Sequence, residues 1–277
     1  MKLTWMGTAA FGIESKDLRI LFDPFLELAG GETPIAEDAF LPYDTIFVTH
    51  CHFDHLLEAQ ELLAEGGGST TLFATKQCCR TLESFLGDQS NVVQIRPGRT
   101  YDLYNEAHAD EGHAHPSAGE PGHVRIRVLR GRHIDFQLRH LTDTMRPGRV
   151  LRYAGNLPFL LWANRTFREA GEIVAYDIHA EGREILLLGS LALDAQETYP
   201  EGVDVLILPY QGNNDLVQRA REVLKRIRPR SVVLSHFDNA FPPMSRKVDL
   251  GPFSKMMRDE FPKIRVIRPS ACKAMHL

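Results

Sequence analysis

No uninterrupted apolar run in this 277-residue chain approaches the roughly 20 residues that a membrane-spanning helix needs. The opening Met1-Lys2-Leu3-Thr4-Trp5-Met6-Gly7 lacks the apolar centre of a signal peptide, so the expected location is the cytoplasm. Cysteine is scarce. Cys51, Cys78, Cys79 and Cys272 show neither a disulfide framework nor a CxxC spacing, which suits a reducing compartment. Positive charge is not in excess either. At a formal net charge of -4 the chain has no basic footprint for a nucleic-acid backbone, so neither nucleic acid nor membrane is an expected partner. What is present is ordinary: 43% hydrophobic and 25% charged residues describe a globular chain, long enough for one large domain or two small ones.

Short apolar runs recur along the chain, and several end on polar clusters. Residues 3–6, 11–15 and 19–22 read as hairpin strands, the last stopping at Asp23-Pro24, and 26–42 as a surface loop. Ile46-Phe47-Val48 then runs into Thr49-His50-Cys51-His52-Phe53-Asp54-His55, which sets potential metal ligands at the end of a buried strand. Leu56, Leu57, Ala59, Leu62 and Leu63 form the apolar stripe of a helix ending at Gly66-Gly67-Gly68. A strand at 72–74, a helix over 76–86 and a strand at 92–95 follow. Residues 124–130 alternate apolar and basic and end at Gly131-Arg132-His133. Segments 172–178 and 184–188 predict a hairpin that runs into Gly189-Ser190. The apolar run 203–208 leads into Pro209-Tyr210, a helix is expected over about 216–227, and 231–234 leads into Ser235-His236-Phe237-Asp238-Asn239. A helix near 253–261 and a strand at 264–267 come last.

This order of β-rich and βα segments occurs twice. It predicts an α+β fold, a four-layer αββα sandwich of two sheets with helices outside, formed by residues 1–277 as a single domain. Two stretches depart from it and suggest a loop or cap insertion around 105–160. The first, 106–123, carries His108, His113, His115 and His123 and reads as a mobile hairpin tip. The second, 138–158, carries Arg139, Arg146, Arg149 and Arg152, which hint at an anionic small-molecule substrate. His140 and His179 read as surface residues, and Cys78 and Cys79 as structural.

Neutral imidazoles and an aspartate suit zinc and related ions, and strand ends give such ligands rigid support. In these residues the chain resembles the metallo-β-lactamase-fold hydrolase superfamily: Trp5 to Ala9, Ile20 to Pro24, the HxHxDH signature His50, His52, Asp54 and His55, then His133, Gly189-Ser190 and His236. Among its members the closest look is to cytoplasmic metal-dependent hydrolases grouped with ascorbate-phosphate lactonase. The resemblance implies a first metal site of His50, His52 and His133 and a second of Asp54, His55 and His236. One or two Zn2+ ions are expected there, with Mn2+ or Fe2+ as other occupants.

The resemblance also implies a bridging aspartate where this chain has Ser190, so the second site is expected to be short of one acid. Asp238, and after it Asp194, are the candidates to supply it. Gly7-Thr8 stands where the family often has Gly-His, and Cys51 is expected to pack on the opposite face from its flanking histidines. Tyr210 and Asn239, at strand ends, are candidates to orient substrate. The expected activity is cleavage of an ester, lactone or phosphoester by a metal-activated water, with Asp54 as ligand or base. The alternative is a non-catalytic metal-binding or ligand-sensing protein, turnover having been lost with the bridging carboxylate.

Overall fold

The apolar runs at the centre of each sheet, such as Val205–Pro209, are buried on both faces, whereas the alternating run His123–Arg130 exposes Arg125 and Arg127 on its outer face. The computed structural model describes residues 1–66, 68–87, 91–104, 119–135, 144–168 and 170–277. In the first sheet, β1 (Lys2–Trp5), β2 (Phe11–Ser15) and β3 (Leu18–Phe22) pair antiparallel, while β4 (Thr45–Phe47), β5 (Thr71–Ala74) and β6 (Val92–Gln94) add on parallel. The second sheet has β7 (Thr100–Tyr104), β8 (His123–Arg130), β9 (Val174–Ala180) and β10 (Arg183–Leu188) antiparallel, then β11 (Val205–Pro209), β12 (Ser231–Ser235) and β13 (Arg265–Ile267) parallel. β14 (Ala274–His276) returns to the free edge of β1, giving seven strands in each sheet.

The inner faces meet in one core, in which Ile13, Ile20, Phe22 and Phe47 face Ile126, Val128, Tyr176 and Ile178. Aromatic contacts tie it together, Phe47 stacking on Phe73 with centroids 4.3 Å apart and meeting Tyr176 edge-on at 5.4 Å. Outside the first sheet lie α1 (Phe53–Glu65) and α2 (Lys76–Leu86), whose Leu56, Leu63 and Leu82 cover Ile46, Val48 and Leu72. After the short α3 (Pro147–Arg152), α4 (Leu157–Thr166) joins that layer through Leu160 and Ala163. Outside the second sheet, α5 (Leu216–Ile227) and α6 (Gly251–Glu260) cover Leu206, Leu208 and Leu234. The four-layer αββα sandwich expected from the sequence is the fold observed. Each fully covered Leu or Ile contributes on the order of 1.5–3 kcal/mol, so the three apolar layers dominate what holds it together.

The structure differs from the sequence reading in two places. Within its described part the stretch 105–160 holds α3 and the start of α4, and α4, most of which lies beyond that stretch, packs in the helix layer of the first sheet, where no element was expected. His123, expected at a hairpin tip, is buried at the start of β8 and bonds Asp102 at 3.0 Å. His108, His113, His115, Arg139 and His140 lie outside the described residues. Among the described residues no helix is long and apolar enough to cross a membrane.

Candidate metal centre

The parallel strands of both sheets end at the same rim, and the polar residues following them converge there. His50 sits just beyond β4; His52 is the extended N-cap residue of α1, and Asp54 and His55 occupy that helix's first turn. From the second sheet come His133, after β8, Ser190, after β10, and His236, after β12. Gly189 makes this convergence possible: a Cβ there would lie 2.7 Å from the Val174 carbonyl oxygen and 2.8 Å from Thr49 Cβ. His236 takes a left-handed backbone (φ 53°), and its amide donates to the Thr8 carbonyl at 2.6 Å.

Two groups of donors result. In each, the ligand atoms lie within 4.8 Å of one another: His50, His52 and His133 in one, Asp54, His55 and His236 in the other. Each group takes two side chains from the first sheet's rim and a histidine from the second. His50 Nε2 and His52 Nδ1 are 3.0 Å apart, and His236 Nε2 is 3.0 Å from Asp54 Oδ2.

Asp23 and Thr49 fix which nitrogens are available. Asp23, left-handed at φ 45°, accepts from the Thr49 amide at 2.7 Å, from the Thr49 hydroxyl at 2.7 Å and from His55 Nδ1 at 2.9 Å. The Thr49 proton being committed, its oxygen accepts from His50 Nδ1 at 3.0 Å. His50 and His55 therefore present Nε2 lone pairs. His133 does likewise, since its Nδ1 donates to the Ile134 carbonyl at 2.8 Å.

The electrostatics of His50, His52 and Asp54 agree with a cation-binding role. Burial, reinforced by the neighbouring imidazoles, pushes His50 well below the usual histidine range, and burial brings His52 down to about 4. Both are thus neutral ligands at neutral pH. Burial alone would raise the Asp54 carboxyl, but His55 and the His236 hydrogen bond hold it well below its ordinary value, as a carboxylate. Burial would lower His55, and Asp23 and Asp54 outweigh that and raise it. Buried His236 Nδ1 has no hydrogen-bond partner among the described residues. Five imidazoles and one carboxylate in two converging sets, with the far nitrogens of His50, His55 and His133 bonded to Thr49, Asp23 and the Ile134 carbonyl, fit a divalent ion of nitrogen and oxygen preference.

Other residues proposed from sequence fall differently. Ser190 lines the same cleft, and its hydroxyl accepts from the Ile134 amide at 3.0 Å. Asp238 belongs to neither donor group: its Oδ2 accepts from the Thr8 amide at 3.0 Å, beneath His236. Asp194 closes a local turn by accepting from the Gln196 amide at 2.8 Å. Tyr210 is turned away, its ring 4.9 Å from Phe253 in the helix-side core. Asn239 is buried and accepts from Ser245 Oγ at 3.1 Å, so it braces a loop rather than lining the cleft. Cys51 is buried against Thr81, at 3.2 Å, on the face away from the site.

The cleft above the donors has a volume of about 370 Å³, toward the lower end of the roughly 300–1,000 Å³ typical of small-molecule sites. None of Arg146, Arg149 and Arg152 lines it; Arg149 instead donates to the Ser245 carbonyl at 2.6 Å. The residues missed by sequence reasoning are Asp23 and Thr49. Both stood in view, Asp23 at a strand end and Thr49 before the first histidine, but nothing local showed that they would meet.

Comparison with known proteins gives the same outline. The family profile described as a beta-lactamase superfamily domain matches residues 2–236. A UPF0173 metal-dependent hydrolase of Mesorhizobium japonicum is 30% identical over 159 residues, 52% of this chain and 63% of the relative, so that match spans less than two thirds of its length. A protein of the same name from Carboxydothermus hydrogenoformans is 26% identical over 97% of both chains. Among solved structures, a metallo hydrolase of Ignicoccus hospitalis has a TM-score of 0.62 at 20% identity, covering 100% of this chain and 98% of that one. A metallo-β-lactamase fold protein of Bacillus subtilis has a TM-score of 0.60 at 12% identity, covering 99% and 98%. At such identities the structures establish the fold.

Proposed function

We propose, on the premise that this chain belongs to the beta-lactamase superfamily, that it is a metal-dependent hydrolase cleaving an ester, lactone or phosphoester bond of a small molecule. The observation that carries the reading is the pair of three-donor groups at one rim, opening on a small-molecule cleft. Zinc is the ion the imidazole-rich set favours, with Mn2+ or Fe2+ as alternatives. When bound, such an ion supplies Lewis acidity toward a substrate oxygen and a nucleophile available at neutral pH.

The chain's own residues do the rest. His50, His52 and His133 form the first site, and Asp54, His55 and His236 the second. Asp23 and Thr49 keep the rings of His50 and His55 in the ligating tautomer. Asp54, held as a carboxylate well below its ordinary range, is suited to ligation and poorly suited to taking up a proton near pH 7. Ser190 accepts from the Ile134 amide, so its own proton can be donated toward a substrate oxygen. The test is hydrolysis of generic esters and phosphodiesters by the purified protein, alongside elemental analysis of bound metal. Turnover is expected to vanish on chelation and return with added ion. Turnover that survives complete metal removal sinks the proposal.

A further inference from the structure

Apart from the Ser190 hydroxyl, the polar side chains around the donors offer acceptors rather than donors. The Gln211 side-chain nitrogen gives its protons to the Asp238 carbonyl at 2.9 Å and the Arg246 carbonyl at 2.8 Å. The Asn164 nitrogen is likewise engaged by the Leu160 carbonyl at 2.8 Å and by Met244 Sδ at 3.4 Å. Both amides line the cleft, so each has only its carbonyl oxygen left for a ligand. No lysine or arginine is among the described residues of the lining. The remaining wall is apolar, with Phe53, Phe241 and Met244 on one side. It continues outward through ring contacts, Phe241 to Phe53 at 5.2 Å, Phe53 to Phe159 at 6.1 Å and Phe159 to Trp162 at 5.7 Å, reaching the surface at Trp162, which is 44% exposed.

From this arrangement we infer that the cleft takes an uncharged acyl compound, an ester or lactone with an aliphatic or aromatic substituent laid along that wall, and disfavours phosphoesters and other anions. The inference rests on the hydrolase reading above. Along the wall, away from the Ser190 hydroxyl and the metal donors, an anion brought against acceptor oxygens and aromatic faces loses water without gaining donors, whereas a hydrocarbon substituent gains burial at each carbon.

The zinc-loaded protein is assayed on para-nitrophenyl butyrate, on the matched hemisuccinate, which differs by a terminal carboxylate, and on bis(para-nitrophenyl) phosphate. The kcat/KM for the butyrate is expected to exceed that for the hemisuccinate by about tenfold or more. Each further methylene should raise it by up to about fourfold until the wall is covered. Met244→Lys, which places a cation on the wall, is expected to shift the preference toward the hemisuccinate with bound metal unchanged. Equal or faster turnover of the hemisuccinate or the phosphodiester by the unmodified protein overturns the inference and leaves the hydrolase reading standing. A second measurement does not depend on turnover: binding of N-hexylacetamide and of hexylphosphonate to the metal-free protein, by ligand-observed NMR. The amide is expected to bind the more tightly. Tighter binding of the phosphonate overturns the inference, whereas amide binding without cleavage of any ester supports it and overturns the hydrolase reading.

Discussion

The carboxylate of Asp23 touches no substrate, yet it sets the tautomer of a ligand in each donor group, directly at His55 and through Thr49 at His50. Asp23→Asn keeps the shape and tolerates the left-handed backbone but removes the charge. Metal affinity should fall about 10- to 100-fold, as for other outer partners of ligating histidines, measured by titration against a chromophoric chelator, with circular dichroism confirming the fold. Ser190→Asp should act in the opposite sense by adding a carboxylate to the cleft. Elemental analysis is expected to show more tightly held ion per chain, and an unchanged ratio counts against an acid-deficient second site. The signature from His50 to His55 was legible because its geometry is local to one strand end and one helix start. Asp23 was not, since its role exists only once β3 and β4 lie side by side with Phe22 opposite Phe47. Tyr210 shows a different failure. Its parity with Leu206 and Leu208, which face α5 and α6, was available in the sequence and places it on the helix side.

At the scale of elements, the turn after β10 is where the second sheet comes closest to the metal rim. Gly189→Ala would set a methyl 2.7 Å from the Val174 carbonyl oxygen. A destabilisation of about 1–3 kcal/mol is expected from such overpacking, read as a lower denaturant midpoint, together with weaker metal retention. Farther along the hairpin of β9 and β10, Asp177, His179 and Glu184 also come within 4.8 Å of one another. Arg127, at 3.0 Å, already pairs with Asp177, so the set is an ion-pair network. The hydrogen bond to Asp177 raises His179 against the opposing effect of burial. A raised histidine stabilises fully below its ordinary value of about 6.5, and the contribution is lost as pH rises through the folded-state value. The Tm difference between the natural protein and His179→Gln should therefore be largest below the ordinary histidine value of about 6.5 and shrink as pH rises through the raised folded-state value. Its size should be small, since His179 is 47% exposed. Strand and helix positions were mostly legible from periodicity. The helix α4 was missed because its apolar residues are not confined to one stripe: Leu160 and Ala163 face inward while Leu161 and Trp162 are exposed, so no helical period stands out.

For the whole molecule, the doubled order of β-rich and βα segments was enough to predict two sheets with helices outside, because each βα unit must bury one face against a partner. The antiparallel-to-parallel change within both sheets depends on pairings across the βα connections, and the return of β14 to β1 on a pairing of the two ends of the chain; neither was read from the local sequence. Those pairings decide that each donor group draws two ligands from one sheet and one from the other. An ion seated there fastens the two halves of the sandwich at their common rim and adds its binding free energy to their docking. Parting of the sheets at that edge would pull ligands away from both donor groups, so the ion-loaded protein is expected to open there less often than the metal-free one, a difference that hydrogen exchange of the rim amides reads in the intact protein.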